Sequence, residues 1–160
     1  MGLTHKQIKN GIETFELTKK RMDITELKNG VTIINDSYNA SFESMQASLK
    51  YLHGLNSKRK IAVLGDMFEL GEYSKELHEK VGIEVTKNKI DILVCCGENA
   101  KYIVESAEKE GMKKENVHYF ENREQVEDFV KDNLQSGDSI LFKASNGMKF
   151  FNIVENLLKY

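Results

Sequence analysis

The 160-residue sequence contains no proline and no tryptophan, and its two cysteines are adjacent, at Cys95 and Cys96. The lack of proline argues against long rigid linkers between folded units. Neighbouring cysteines cannot join distant segments by a disulfide bond, so the composition suits a reducing environment such as the cytoplasm. The apolar residues, 40% of the total, are enough for a core, and the length fits one ordinary domain.

The sequence also lacks an excess of charge of one sign and a long apolar run. The 23 Lys and Arg residues nearly balance the 25 Asp and Glu residues, which argues against a nucleic-acid partner because such domains usually carry a basic excess. No apolar stretch approaches the ~20 residues that cross a bilayer, and the first residues lack the apolar region of a secretory signal. The sequence therefore predicts a cytoplasmic protein with no membrane partner.

Three motifs of well-understood chemistry are missing. No G-x-x-x-x-G-K-[ST] loop is present to hold a nucleoside triphosphate, and no G-x-G-x-x-G follows a strand to hold a dinucleotide. The four histidines are scattered without metal-ligand spacing, so no metal site is predicted.

The sequence alternates short apolar runs with segments in which apolar residues recur every three or four residues and so form a stripe along one side of a helix. Thr4-x-x-Gln7 is typical of a capping box, followed by a helical stripe of Ile8, Ile12 and Phe15. The chain then alternates strands with amphipathic helices, and the predicted strands cover 22–27, 31–34, 61–64, 90–94, 117–120 and 139–142. This order predicts a Rossmann-like, doubly wound α/β domain, with a mostly parallel sheet and an N-terminal antiparallel hairpin at its edge.

In such a sheet, ligands bind beyond the carboxyl ends of the strands. The segment 65–72 carries three carboxylates between glycines, which could hold Mg²⁺ or an ammonium group, or could simply favour the positive end of the next helix. The segment 143–147 places Lys143 and Ser145 where they could grip a carboxylate or phosphate, or serve only as a solvated lysine and a helix cap.

Two longer strings suggest a family. The segments 35–45 (NDSYNASFESM) and 64–72 (LGDMFELGE), followed by His78 and Gly82, resemble the C-terminal domain of the Mur ligases. The resemblance covers nearly the whole chain. It implies that residues 1–20 are the tail of a central ATP-binding domain and that residues 21–160 are the C-terminal domain.

The resemblance also implies an activity for the whole enzyme. In that activity ATP phosphorylates the terminal carboxylate of UDP-N-acetylmuramoyl-tripeptide, and D-alanyl-D-alanine then attacks the acyl phosphate to form a peptide bond. The P-loop and the magnesium ligands of the family belong to the central domain. We therefore expect ATP and Mg²⁺ to be bound mainly there, the catalytic residues to lie outside this chain, and the chain to be inactive without that partner domain.

Eight residues receive a role from the resemblance. Arg21 matches the arginine that reaches the ATP phosphates, Asp36 matches the acid that contacts the ribose, and neighbouring residues shape the adenine side. The dipeptide would face the acidic loop and the segment after the last strand. The nucleotide-side residues are Arg21, Asp36, Tyr38 and Asn39, and the substrate-side residues are Asp66, Glu69, Lys143 and Ser145.

The sequence departs from the family pattern at three positions. Phe42 stands where the family usually has proline, Ala144 replaces a glycine, and Asn146 replaces an arginine. If that arginine grips the carboxylate of the dipeptide, Lys149 or Lys143 would have to replace it.

Two alternatives remain open at this point. One is another amide ligase of the same superfamily, of the folate polyglutamate or cyanophycin type. The other is a phosphoacceptor receiver domain, which Asp36, Asp66 and Lys143 could suit. A receiver domain expects a lone aspartate after its third strand, however, and the strand predicted at 90–94 leads into two cysteines and a glycine instead.

Overall fold

The computed structural model describes residues 4–7, 9 and 20–159 of the chain. Within residues 20–159 the chain forms six strands and five α-helices. Their bounds are β1 (Asp23–Glu26), β2 (Thr32–Asn35), α1 (Phe42–Gly54), β3 (Arg59–Gly65), α2 (Ser74–Lys87), β4 (Ile92–Cys96), α3 (Ala100–Lys109), β5 (Val117–Phe120), α4 (Arg123–Asn133), β6 (Asp138–Lys143) and α5 (Phe151–Leu157). None of the helices in this part of the chain is long and apolar enough to span a bilayer.

The strands form one sheet in the order β1-β2-β6-β3-β4-β5. β1 runs antiparallel to β2, and every other neighbouring pair is parallel. The predicted mostly parallel sheet with an antiparallel hairpin edge is thus confirmed. Because β6 lies between β2 and β3, the segments that follow these three strands meet at one edge of the sheet.

The helices cover both faces of the sheet. Helices α1, α2 and α3 pack on one face, where Leu49, Val81 and Ile103 are fully buried. Helices α4 and α5 pack on the other, around Val126 and Ile153. Strands buried on both faces read as continuous apolar runs rather than as alternating ones, which is why short runs in the sequence predicted them.

Capping side chains account for the starts of α1 and α4. At the start of α1, the Ser41 hydroxyl accepts a hydrogen bond from the Ser44 N–H (3.3 Å), and the Ser44 hydroxyl accepts one from the Ser41 N–H (2.9 Å). This reciprocal pair supplies the first turn with partners, so the helix begins at Phe42 without the proline usual in the family. Asn122 caps α4 by accepting from the Gln125 N–H at 3.0 Å.

Five of the six predicted strand ranges differ from the observed strands by one or two residues at their ends, and β5 alone matches its predicted range. β4 begins at Ile92 rather than at residue 90 and continues through Cys95 and Cys96, which pair with the last residues of β3. The thiols are therefore part of the buried strand and not of the following loop, and burial raises the pKa of Cys96 to about 11. β6 likewise extends to Lys143, which had been predicted to lie beyond the strand.

Only part of the N-terminal prediction can be compared with the structure. The Gln7 N–H donates to the Thr4 hydroxyl at 3.3 Å, and the Thr4 N–H donates to the Gln7 side chain at 2.9 Å, so the predicted capping box is present. The stripe of Ile8, Ile12 and Phe15 lies outside the described residues. The assignment of residues 1–20 to a central domain stays a prediction.

Candidate functional site

Two adjoining cavities open at the carboxyl edge of the sheet. The first, of about 560 Å³, lies between Arg21, the segment after β2 and one side of α1. The second, of about 340 Å³, lies among the segments that follow β2, β3 and β6. Tyr38 and Asn39 line both cavities, so the two spaces share a wall.

Asp36 is the carboxylate in the wall of the first cavity. Its position is set by the chain, because its backbone N–H donates to the Phe142 carbonyl at 2.9 Å. Its Oδ2 accepts from the Ser48 hydroxyl at 2.6 Å and from the Lys143 Nζ at 2.5 Å. Its Oδ1 accepts a single long hydrogen bond, 3.2 Å, from the Met22 N–H. A carboxylate oxygen can accept about two hydrogen bonds, so Oδ1 retains an acceptor position.

Arg21 also lines the first cavity. Its guanidinium carbon sits 4.3 Å from the centre of the Tyr38 ring, and the Tyr38 N–H donates to the Lys20 carbonyl at 2.9 Å. A guanidinium stacked by its face on an aromatic ring keeps the N–H groups along its edge available for an anion. The structure therefore brings the predicted nucleotide-side residues, Arg21, Asp36, Tyr38 and Asn39, to one cavity.

The structure does not bring the four predicted substrate-side residues to one cavity. Lys143 is 1% exposed, and its Nζ lies on Asp36 and 3.1 Å from the Asn39 carbonyl oxygen. Lys143 thus belongs to the wall of the first cavity, although the resemblance groups it with the acidic loop.

Asp66 has a partner inside the fold. It is 4% exposed, and its Oδ1 accepts from the N–H groups of Asn99 (3.0 Å) and Ala100 (2.7 Å) at the start of α3. A Cβ added to Gly97 would lie 2.4 Å from the same oxygen. The carboxylate therefore satisfies the N-terminal N–H groups of α3, and neither cavity includes Asp66 in its lining.

The second cavity contains Glu69 and Ser145. The Ser145 hydroxyl accepts from the Phe68 N–H at 2.8 Å, and the Asn146 side chain donates to the Tyr38 carbonyl at 3.0 Å. Glu69 is exposed and has a φ of +64°, a left-handed conformation that is uncommon outside glycine. It is the only charged residue in this lining, which consists of Tyr38, Asn39, Phe68, Glu69, Ser145, Asn146 and Gly147. The cavity is thus complementary to a cation.

No three acidic, histidine or cysteine side chains converge to hold a metal ion among residues 4–7, 9 and 20–159. His78, the one buried histidine among the described residues, has partners within the fold. His78 is fully buried, its Nε2 accepts from the Met67 N–H at 3.0 Å, and its Nδ1–H donates to the Ser74 carbonyl at 2.7 Å. The His78 ring attaches the acidic loop to α2.

Sequence reasoning missed the face of α1 that completes the first cavity. The cavity is lined there by small or polar side chains at helical spacing, namely Ser44, Ala47, Ser48 and Tyr51. The signal was present, since residues spaced by three and four lie on one face of a helix. It was missed because the apolar stripe on the opposite side of α1 was the one used to predict the helix.

Comparison with known proteins assigns this arrangement to a family. Residues 20–146 match the family described as "Mur ligase, glutamate ligase domain". The UDP-N-acetylmuramoyl-tripeptide–D-alanyl-D-alanine ligase of Bacillus subtilis (strain 168) is 36% identical over 159 residues, covering 99% of this chain and 35% of the relative. The enzyme of the same name from Synechocystis sp. is 34% identical over 158 residues, covering 99% of this chain and 34% of that enzyme.

Solved structures agree. The crystal structure of the MurF ligase from Thermotoga maritima in complex with ADP superposes with a TM-score of 0.74 and 30% identity, covering 91% of this chain and 32% of the other. A MurF structure from Acinetobacter baumannii has a TM-score of 0.79 at 24% identity, covering 99% of this chain and 34% of that one, and shows the common fold.

The fold and the family match together define the class of protein. The chain belongs to the Mur ligase family and corresponds to the C-terminal domain of those enzymes. Within that family, the two curated relatives named above, which match 99% of the chain, are UDP-N-acetylmuramoyl-tripeptide–D-alanyl-D-alanine ligases. The chain spans about a third of the length of these relatives. The resemblance noted in the sequence is confirmed, and the alternative of a phosphoacceptor receiver domain loses its basis.

Proposed function

We propose that this chain is the C-terminal domain of a cytoplasmic, ATP-dependent ligase that adds D-alanyl-D-alanine to UDP-N-acetylmuramoyl-tripeptide in peptidoglycan precursor synthesis. The observation that carries the proposal is the 36% identity over 159 residues to a UDP-N-acetylmuramoyl-tripeptide–D-alanyl-D-alanine ligase. The two cavities indicate how the domain contributes, because each has the chemistry that one substrate requires.

The first cavity is proposed to hold the adenine nucleotide. The remaining acceptor position on Asp36 Oδ1 suits a ribose hydroxyl, as an aspartate at a strand end does in other nucleotide folds. Arg21 carries N–H groups that suit a phosphate, since a planar guanidinium can bind two phosphate oxygens at once. Tyr38 and Asn39 would then lie beside the base.

The second cavity is proposed to hold the incoming dipeptide. Its carboxylate, Glu69, suits the ammonium group of D-alanyl-D-alanine, and Asn146 stands where the family usually has an arginine. Because Lys143 is already engaged by Asp36 and Asn39, the exposed Lys149 is the better candidate of the two lysines for the carboxylate of the dipeptide. Lys149 has a φ of +53° and closes the short 3₁₀ turn that contains Asn146.

In the proposed reaction, the terminal phosphoryl group of ATP passes to the carboxylate of the tripeptide and ADP remains. The amine nitrogen of the dipeptide then attacks the acyl carbon, the new C–N bond forms, the C–O bond to phosphate breaks, and the amine loses a proton. Catalysis of this kind depends on positioning and on neutralising phosphate charge. A magnesium ion held by the central domain would supply part of that neutralisation. This chain, which has no P-loop motif, would supply substrate contacts and be inactive alone.

A chimaera tests this proposal. The segment of the Bacillus subtilis ligase that matches this chain is replaced by residues 1–160, and D-alanyl-D-alanine-dependent phosphate release is measured together with the mass of the product. The 160-residue chain alone and the truncated relative alone are the controls. We expect ligation only from the chimaera.

Three results would count against the proposal. Ligation by the 160-residue chain alone would show that it is a complete enzyme. A folded chimaera that binds ATP but does not ligate the dipeptide would refute the substrate assignment. A chimaera that uses glutamate in place of the dipeptide would favour the polyglutamate type of ligase.

A further inference from the structure

Lys143 is the only lysine or arginine that is buried among residues 20–159. Burial of an ammonium group is expensive unless the charge is paired and its N–H groups have acceptors. Lys143 meets both conditions through the segment that follows β2. Its Nζ contacts Asp36 Oδ2 at 2.5 Å, the Asn39 carbonyl oxygen at 3.1 Å and the Asp36 carbonyl oxygen at 3.5 Å.

An ammonium group has three N–H donors and no acceptor. All three donors of Lys143 have an acceptor within the chain, so none remains for a phosphate or a carboxylate of a substrate. The direct substrate contact that the family resemblance implies for Lys143 therefore has no donor to make it.

The contact with Lys143 affects the orientation of the Asp36 carboxylate. Its Oδ2 receives Lys143 and Ser48, at 2.5 and 2.6 Å, whereas Oδ1 receives only the Met22 N–H at 3.2 Å. Two strong donors on one oxygen determine the rotation of the carboxylate, and they leave the acceptor position on the other oxygen. Asp36 is 8% exposed and lines the first cavity, so this remaining position is the one that a ligand can reach.

We propose that Lys143 is a positioning residue for nucleotide recognition: with Ser48, it orients the Asp36 carboxylate so that Oδ1 accepts a ribose hydroxyl in the first cavity. The inference rests on the proposed function, in which that cavity holds the adenine nucleotide. Lys143 also holds the carbonyl of Asn39, so it orders the segment 36–39 as well as the carboxylate.

The test compares the Kd of ATP with that of 2′,3′-dideoxy-ATP, which lacks both ribose hydroxyls, on the chimaera described above, in which the central domain of the relative supplies the phosphate contacts. A hydrogen bond to a charged group contributes enough for a preference of about tenfold for ATP in the chimaera without further substitution. Lys143→Met should reduce this preference to about twofold. Ser48→Ala removes only one donor from Oδ2 and preserves the ion pair, so it should leave an intermediate preference of about threefold.

Arg59→Met is the matched control. Arg59, on β3, forms an ion pair at 2.6 Å with Asp138, which is at the opposite end of β6 from Lys143. Its loss should lower stability and leave the preference for ATP unchanged. The Ser48→Ala chain keeps the test decisive if Lys143→Met does not fold.

The outcomes separate this inference from the nucleotide assignment. A chimaera without further substitution that binds both nucleotides equally refutes the assignment of the first cavity, and the inference with it. A chimaera that prefers ATP, together with variants that lose affinity for both nucleotides equally, refutes the inference alone, because Lys143 would then only support the fold.

Discussion

Asp36 and Asp66 follow successive parallel strands along the chain and yet have different partners. Asp36 faces a cavity and is held by a hydroxyl and an ammonium group, whereas Asp66 accepts two backbone N–H groups at the start of α3. A carboxylate at a helix N-terminus stabilises the helix by satisfying N–H groups that have no partner inside it. The same residue type therefore faces a cavity at one strand end and caps a helix at the other.

Asp66→Ala tests that distinction at the residue scale. We expect it to lower the free energy of unfolding by about 1–3 kcal/mol, because it removes a helix cap and leaves two N–H groups without a partner. Urea denaturation followed by circular dichroism gives the value. Glu69→Ala is the control, since Glu69 is exposed and its loss should change stability little.

The activity of the chimaera described above, measured with and without Asp66→Ala, can contradict this prediction. If Asp66→Ala left stability unchanged but abolished the dependence on D-alanyl-D-alanine, Asp66 would be a substrate residue. The role that the resemblance implies for it would then be correct.

At the scale of elements, the contact between α2 and α3 depends on one glycine. A Cβ added to Gly82 would lie 2.4 Å from the Ile103 carbonyl oxygen and 2.9 Å from the Ala107 backbone nitrogen. These are backbone atoms, which cannot move aside without shifting a helix. Gly82 therefore sets how closely the two helices approach, and α3 in turn presents the N-terminus that Asp66 caps.

Gly82→Ala should destabilise the chain by about 1–3 kcal/mol, the range for overpacking a well-packed core. Gly54→Ala is a matched control, because a Cβ at Gly54, the last residue of α1, would meet no atom within 4 Å. Alanine is the better helix former, so the control should be neutral or stabilising by up to about 1 kcal/mol. Urea midpoints of the two variants measure the difference, and equal midpoints would show that the helices can separate easily.

The elements themselves could be predicted from the sequence because each has a local cause. Short apolar runs predicted the strands, stripes at three and four residues predicted the helices, and Asn122 predicted the start of α4. The errors lie at the ends of strands. Cys95 and Lys143 belong to strands because they pair with neighbouring strands, and no local pattern reports that pairing.

The site could be predicted only in part for the same reason. The four nucleotide-side residues were found because they lie close together in sequence, between residues 21 and 39, and the family resemblance identifies them. The partner of Asp36, in contrast, is 107 residues away. It becomes a neighbour only because β6, the last strand in sequence, lies beside β2 in the sheet, and a single sequence does not report strand order.

At the scale of the whole molecule, two groups that titrate differently make stability depend on pH in the same direction. Burial lowers the pKa of His118 below its ordinary 6.5, beside the Phe129 ring. Although burial alone would raise the pKa of Glu127, hydrogen bonds from Lys131 and Asn156 hold it below its ordinary 4.5. Asn156 lies on α5 and donates to both oxygens of Glu127 at 3.0 Å, so this carboxylate joins α4 to α5.

In both cases the folded pKa is the lower one, so the unfolded chain takes up protons first as the pH falls. The stability contributed by neutral His118 is present above pH 6.5 and should decline below it. The stability contributed by ionised Glu127 is present above pH 4.5 and should decline below that. Urea midpoints measured from pH 7.5 to pH 3 should therefore fall in two stages. His118→Phe should flatten the first stage, and Glu127→Gln should flatten the second. A urea midpoint that rises between pH 7 and pH 5 would contradict the assignment of His118, because it would mean that the folded chain binds the proton more tightly than the unfolded chain does.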